Sequence, residues 1–546
     1  MHPTTKRPHR PIREEVFREY CATSSIHGVR YFDKIERTSC ERFWWVLVFL
    51  LSMGGCGVMI YKAYVKWNQA PIIVTFSEKT TPVWEVKFPA VTICPETKVP
   101  SAKLNFTAEI NALSDVTLNR TVNEEIVGQL KVVAQLCNPI FHSNHYFLNF
   151  INGTREDDVV NMLKNMALPR YKVIGMCIYD DQYNKCEEYL KETLTEEGLC
   201  YSFNMISESA IFRKSALHTN HNYMENWLEF ANGDMETPLH ARGAGMHAGF
   251  SMYLIESKAD IDYMCTVSTN HPITFLFSMQ GFSQGYKLML HEANEYPQVS
   301  KRNIRIPLSH EISIALKPQM IVTSPSAADY GWEKRQCFFN KERHLQFFQI
   351  YNQENCELEC LTNLTLVLCG CVRFSMPRAN ETKVCPLYMW DCMFQARSLF
   401  RQHDNASHPE EVLGIFANCN CLPACSSVHY DAEITQSSLD VNKFLDANKL
   451  RTSKANDIII TTLEIYFKES HFITSKRSEL YGLVDFLANC GGLLGLFMGV
   501  SILSLLEICY FIAIRPFSIN KRRALRGDNK EKEVSNSLLA VVSKAD

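Results

Sequence analysis

Two long, uncharged, apolar runs near the ends of the chain limit what it can fold into. The first extends from Phe43 to Tyr61, 19 residues, and the second from Phe486 to Leu506, 21 residues, continuing past Glu507 to Ile514. Each is long enough to cross a hydrocarbon core of about 30 Å as a helix. The first 42 residues are polar and charged, so no cleavable leader is expected and the first run serves as the signal anchor. The 546 residues therefore divide into an N-terminal segment 1–42, a first span 43–64, a middle 65–485, a second span 486–514 and a tail 515–546. A carboxylate inside a span costs about 2.5–3.5 kcal/mol on insertion scales, so Glu507 is expected to face protein or water. A glycine-bearing span with one buried acid points to a pore more than to an anchor.

Six Asn-x-Ser/Thr triplets, at Asn105, Asn119, Asn152, Asn363, Asn380 and Asn405, lie between the spans and none lies in the tails. Any one arises by chance, but their joint placement predicts an extracellular, glycosylated middle. Arg30, Lys34, Arg37 and Arg42 precede the first span, and Arg515, Lys521, Arg522, Arg523 and Arg526 follow the second. That agrees with the positive-inside tendency, diluted by Lys62 and Lys66. It predicts a plasma-membrane protein with both termini cytoplasmic. A net charge of −3 gives no footing for nucleic acid. Of 21 cysteines, 16 fall between Cys94 and Cys425, an even number that reads as eight bridges in an oxidising compartment. Zinc at Cys369-x-Cys371 and Cys419-x-Cys421 is the weaker alternative, and no metal is expected. Cys21, Cys40, Cys56, Cys490 and Cys509 are expected to be free thiols.

The middle mixes two periodicities. Strands are expected at Ile72–Phe76, Val83–Lys87, Gly249–Ile255, Tyr286–Leu290 and Glu311–Leu316, with 456–470 returning to the membrane. Ile126, Leu130 and Val133 have helical spacing, and 353–368 reads as a helix with Cys356 and Cys360 on one face. The charged tail 515–546 is expected to be disordered. The fold class is membrane α+β, with two transmembrane helices carrying a large disulfide-rich extracellular domain.

In the second span Gly491, Gly495 and Gly499 recur every fourth residue, as in a helix-packing stripe. Packing alone does not call for Ser501, Ser504 and Glu507 below it. Around a symmetry axis, carbonyls near Gly499 and the Ser501 hydroxyl can replace part of a cation's hydration shell, and Glu507 forms an acidic ring. Asp485 at the outer end is either a second ring or an ordinary solvated helix end.

Gly495-Leu-Phe-Met-Gly-Val-Ser-Ile-Leu-Ser-Leu-Leu-Glu507 resembles the pore helix of the degenerin / epithelial sodium channel / acid-sensing ion channel superfamily. Phe88-Pro-Ala-Val-Thr-Ile-Cys-Pro-Glu-Thr-Lys98 resembles its first ectodomain signature, most closely that of insect pickpocket subunits. Ser25-Ile-His-Gly28 resembles its cytoplasmic gating motif, and Gly198-Leu-Cys-Tyr-Ser-Phe-Asn204 a finger and palm signature. The resemblance implies a homo- or heterotrimer with paralogous subunits, built on a palm β-sheet with finger and thumb helices, the thumb at about 337–425. It implies a gated cation channel, sodium-permeable and amiloride-sensitive, opened by an extracellular chemical or mechanical stimulus, with no enzyme activity and no cofactor. It places the selectivity filter at Gly499, Val500 and Ser501, where Val500 is bulkier than the small residue usual there. It places acidic rings at Glu507 and Asp485, an outer-pore gating position at Ala488 and the gating motif at His27 and Gly28. Trp332 falls near an aromatic that touches the first span in relatives, with Trp67 as its partner. The resemblance also implies the pairs Cys94–Cys200, Cys177–Cys186, Cys337–Cys425, Cys356–Cys421, Cys360–Cys419, Cys369–Cys392 and Cys371–Cys385. Cys137 and Cys265 remain and are paired by elimination.

Other readings explain less. Gly281-Phe-Ser-Gln-Gly285 spells a nucleophile elbow, but a strand follows where that motif needs a helix. A trimeric ATP-gated channel shares the two spans, yet its lysine cluster and Asn-Phe-Arg element are missing. A two-anchor scavenger or adhesion receptor leaves Glu507 and the glycine stripe unexplained.

Overall fold

The computed structural model describes residues 11–33, 38–69, 72–114, 123–137, 159–182, 190–218, 238–262, 265, 284–402, 419–449 and 457–523. Asn119, Asn152, Asn405, Cys186 and 281–283 lie outside them, as do the expectations placed there. The chain forms two compact units, Val74–Ser478 and the combination of Met1–Ile73 with Glu479–Asp546.

The strands in chain order are β1 (Ile72–Pro82), β2 (Ala90–Pro95), β3 (Ile174–Tyr179), β4 (Leu190–Thr195), β5 (Gly198–Phe203), β6 (Phe250–Ser257), β7 (Tyr286–His291), β8 (Ile304–Ile306), β9 (His310–Thr323), β10 (Ser427–Ser438), β11 (Ile458–Phe467) and β12 (His471–Glu479). Among the described residues they make a seven-stranded sheet, β1-β12-β9-β11-β6-β3 with β10 on β9, and a five-stranded sheet, β4-β5-β2-β7-β8. The long β9 organises the larger sheet. β10 runs antiparallel along it from Ser427 opposite Ile321 to Ser438 opposite His310. β11 and β12 run parallel to it, pairing with successive stretches of β9.

Alternation decides which face is buried. Phe250, Met252, Leu254, Ile312, Ile314, Leu316, Leu463 and Ile465 from the larger sheet share one core with Val91, Ile93, Tyr201, Phe203 and Leu288 from the smaller. Each such side chain contributes about 1.5–3 kcal/mol by leaving water. Two expectations shift by one element. Val83–Glu85 is a short 3-10 turn, because β1 ends at Pro82 and the Val83 N–H is taken by the Ser470 carbonyl at 2.9 Å. The strand that returns to the membrane spans is β12, one strand beyond the expected 456–470 run and parallel to β9 like β11 before it.

Seven disulfides close among the described residues: Cys94–Cys200, Cys137–Cys265, Cys337–Cys425, Cys356–Cys421, Cys360–Cys419, Cys369–Cys392 and Cys371–Cys385. The helix Gln353–Cys369, capped by the Asn352 side chain and ended by Gly370 at φ 69°, presents Cys356 and Cys360 one turn apart to Cys421 and Cys419. Their sulfurs cluster closely enough for a metal, but each is spent in a bridge. Cys21, Cys40, Cys56, Cys490 and Cys509 are free.

The other unit is helical: α1 (Ile12–Thr23), α2 (Ser39–Gln69), α3 (Leu483–Met498) and α4 (Ile502–Cys509), the last continuing through a π-helical turn, Tyr510–Ile514. Ser39–Gln69 and Ile502–Arg523 are each long and apolar enough to cross a membrane, and Leu483–Met498 is apolar but shorter. α2 therefore extends beyond the expected 43–64 at both ends. The expected single helix 486–514 is interrupted at 499–501. The start of the tail, through Arg523, is helical instead of disordered.

Candidate functional site

The interruption is written in the local sequence. Gly499 adopts φ +67°, ψ 20°, the left-handed conformation that ends a helix. Its N–H reaches the Gly495 carbonyl at 2.9 Å and the Val500 N–H reaches the Leu494 carbonyl at 3.2 Å. Ser501 restarts the helix as an N-cap, its Oγ accepting from the Ser504 N–H while the Ser504 Oγ accepts from the Ser501 N–H, both at 3.2 Å. A break inside an apolar span frees carbonyls that cost several kcal/mol if left unpaired. Two are taken from elsewhere in the chain: the Ser52 Oγ donates to the Phe497 carbonyl at 2.7 Å, and the His27 N–H donates to the Met498 carbonyl at 2.9 Å.

His27 belongs to a loop that follows α1 and folds against the break. Gly28, at φ +88°, reverses the chain into a short turn, Val29–Phe32. The Ser25 Oγ donates to Glu507 Oε2 at 2.9 Å, its N–H lies 3.3 Å from the same oxygen, and its Oγ meets the Ser504 Oγ at 2.8 Å. Glu507 thus has hydrogen-bonded partners 482 positions away. The Val500 side chain packs with Phe49 and Ile508 against buried Cys21, Ile26 and Val29. Burial, and then the Asp33 carboxylate, pushes the Cys21 thiol up to about 11, so it stays uncharged at neutral pH. Two ion pairs, Glu19–Arg515 and Glu15–Arg523, fasten α1 to the helix after the π turn.

The structure brings His27, Gly28, Gly499, Val500, Ser501 and Glu507 into one assembly. A Cβ built on Gly499 would lie 2.8 Å from three atoms of the His27 ring. Asp485 and Ala488 stand apart on α3. The Asp485 carboxylate accepts from the Gly482 N–H at 3.0 Å as a helix-end cap, and Ala488 is exposed. Of the glycine stripe only Gly499 is closely packed among the described residues: a Cβ on Gly491 would meet nothing within 4 Å, and one on Gly495 only the Val500 carbonyl at 4.0 Å. Close approach occurs instead at Gly55 of α2, where a Cβ would lie 3.3 Å from the Phe497 ring. Trp67 stacks on Phe486 at 5.1 Å. In the other unit Trp332 packs beside Phe338 at 5.3 Å.

Sequence reading missed Ser25 as a partner of Glu507, Ser52 as a partner of the broken helix, and the two ion pairs. The cap at Ser501-x-x-Ser504, also unread, is a local signal that could have marked the break, whereas the long-range partners leave no local pattern. Residues 20–511 match the family model described as amiloride-sensitive sodium channel.

The chain belongs to the amiloride-sensitive sodium channel family. A member of this family is a subunit of a gated cation channel and not an enzyme. The chain is similar to pickpocket protein 28 of Drosophila melanogaster, 26% identical over 533 residues that cover 94% of this chain and 80% of the relative. It is 23% identical to the sodium channel protein Nach of Drosophila melanogaster over 520 residues, 91% of this chain and 86% of that one. It is 21% identical to acid-sensing ion channel 1A of Danio rerio over 526 residues, 94% and 90% of the two chains. In this amiloride-sensitive sodium channel family member, the broken helix with its loop and carboxylate is the candidate ion pathway.

Proposed function

We propose that the chain is one subunit of a trimeric, sodium-permeable, amiloride-blocked channel of the plasma membrane, homomeric or built with paralogous subunits. Both termini are cytoplasmic, 65–485 is extracellular, and an extracellular chemical or mechanical stimulus opens the pore. The observation that carries this reading is the helix break. Phe497 and Met498 lend their carbonyls to Ser52 and His27, while Ser501 stays exposed nearly two turns before the half-buried Glu507. Gly499 and Ser501 then line the filter, and Glu507 holds cations beneath it. Because the Val500 side chain packs into the apolar cluster, its bulk does not narrow the passage. The loop of His27 and Gly28 touches both the filter and Glu507, so its displacement changes both together. Asp485 concentrates cations at the outer end, and a bulky side chain at exposed Ala488 hinders closure. Exposed Asn105 and Asn380, and half-buried Asn363, carry the glycans among the described residues.

The test is current through the expressed chain, alone and with paralogues. A charged thiol reagent should block Ser501→Cys channels and leave the parent unaffected. Glu507→Ala should lower sodium current and external amiloride should block it. A conducting Ser501→Cys channel that ignores the reagent overturns the assignment of the filter.

A further inference from the structure

A cavity of about 750 Å³ lies against the helices Gln353–Cys369 and Trp390–Gln402 and the loops at Glu196 and 296–301. The two helices are tied by Cys369–Cys392, and the lining residues Cys419 and Cys421 are bridged to Cys360 and Cys356 of the first helix, so the walls are cross-linked. Leu358, Leu361, Met376, Trp390, Met393 and Phe394 make its surface largely apolar. The volume falls in the range of small-molecule sites, about 300–1,000 Å³. Its lining residues all belong to the unit Val74–Ser478, which does not contain the broken helix.

Its charges do not balance. Arg373, Arg397, Arg401 and Lys301 line it against the carboxylates of Glu196 and Glu357. Lys301 is held by Glu354 at 2.8 Å and Glu357 at 2.7 Å, which occupies Glu357. Glu196 accepts from the Ser300 N–H at 2.6 Å. Arg397 donates to the neutral Ser300 hydroxyl at 2.8 Å. Arg373 donates to the Glu196 carbonyl at 2.8 Å, lies 5.3 Å from the Trp390 and Phe374 rings, and has a buried Nε with no partner. Among the described residues none of the three arginines has a carboxylate within ion-pair distance. Burial pushes Arg373 down to about 10, and burial followed by the Arg401 charge lowers Arg397.

Arg373 and Arg397 are half-buried and Arg401 is exposed. Glu196 and Glu197 act on the first two only from beyond ion-pair distance. Partly desolvated guanidinium groups therefore face the cavity without a direct carboxylate partner, and a carboxylate matches their fork geometry. We propose that this cavity binds a small organic anion, a carboxylate carried on an apolar or aromatic body. Arg397 and Arg401 hold the carboxylate, and the body lies on Met393 and Phe394. Metal cations and unsubstituted sugars are disfavoured by the excess positive charge and the apolar lining. Binding here does not depend on conduction, so it stands or falls separately from the channel reading.

The experiment uses the full chain in lipid nanodiscs with 2-naphthylacetate and its uncharged amide, read by saturation-transfer NMR and thermal shift. The acid should bind about tenfold or more tighter than the amide, as expected for hydrogen bonds to a charged group. Arg397→Gln with Arg401→Gln should weaken the acid by a similar factor and leave the amide unchanged. Arg397→Lys should retain part of the affinity, and Met393→Trp should exclude both probes. Peptide mapping of Cys369–Cys392 checks that each variant is folded, and Arg397→Lys and Met393→Trp carry the test if the glutamine pair does not fold. Equal affinity for acid and amide, affinity indifferent to the arginines or to Met393→Trp, or no binding of the acid to the parent chain each overturns the proposal.

Discussion

Gly499 is constrained twice over. Its φ of +67° costs an L-residue about 1–2 kcal/mol, and the His27 ring fills the space a Cβ needs. The two penalties separate experimentally. Gly499→Ala should reach the cell surface but lose most of its current, because the break relaxes or the loop is displaced. Adding His27→Ala removes the steric part only, so current should recover in part and never fully. Full recovery would mean that the backbone conformation at Gly499 is immaterial, and no recovery that the ring contact is. Surface labelling alongside whole-cell current separates loss of function from loss of assembly.

At the scale of elements, the long-range partners of α1 set how firmly the loop is held. Glu19–Arg515 and Glu15–Arg523 are solvent-accessible pairs and so contribute modestly. Glu19→Arg and Arg515→Glu should each reduce current a few-fold, and the double exchange should restore it, as contacting residues couple and distant ones do not. A double variant as impaired as the sum of the singles would place the effect elsewhere. What sequence revealed of these elements follows from the range of the forces that make them. β9 announces itself through Ile312, Ile314 and Leu316, and the helix Gln353–Cys369 through Cys356 and Cys360 spaced to share one face. The break was harder to see. Hydropathy is blind to backbone conformation, so Phe486–Ile514 reads as one span and Gly499 as the third glycine of a stripe. The stop at Gly499 and restart at Ser501 are local signals, overridden by a continuous apolar run. Ser25 on Glu507 and His27 on the Met498 carbonyl join positions more than 470 residues apart, and no periodicity encodes such pairs.

Across the molecule, the sheets bury carboxylates with opposite pH signatures. Glu197 lies 3.2 Å from Lys98 and 2.7 Å from Lys287. Burial would raise it, but the two ammonium groups prevail and hold it at about 2, so its contribution to stability is present above pH 4.5 and lost only as pH falls through 2. Glu256 stands on the inward row of β6 with Phe250, Met252 and Leu254, hydrogen-bonded by Thr97 and only 4% exposed. Burial raises it from 4.5 to about 7. The folded form therefore binds a proton that the unfolded chain has released, and the associated stability is present below pH 4.5 and lost as pH rises through 7. That interval corresponds to about 3 kcal/mol. Glu208 and Glu295 are likewise raised to about 7, while buried His291 is lowered to about 4 and acts with the opposite sign. The parent's pH profile alone thus mixes several groups, and a neutral replacement isolates one. Glu256→Gln keeps an acceptor for Thr97 and removes the titration. The variant and parent should unfold alike near pH 4, and the variant should be more stable at pH 8 by up to about 3 kcal/mol, measured as thermal midpoints of the purified chain. A variant no more stable than the parent at pH 8 would show that the carboxylate is ionised and compensated within the core. A gap that widens as pH falls would reverse the sign of the shift.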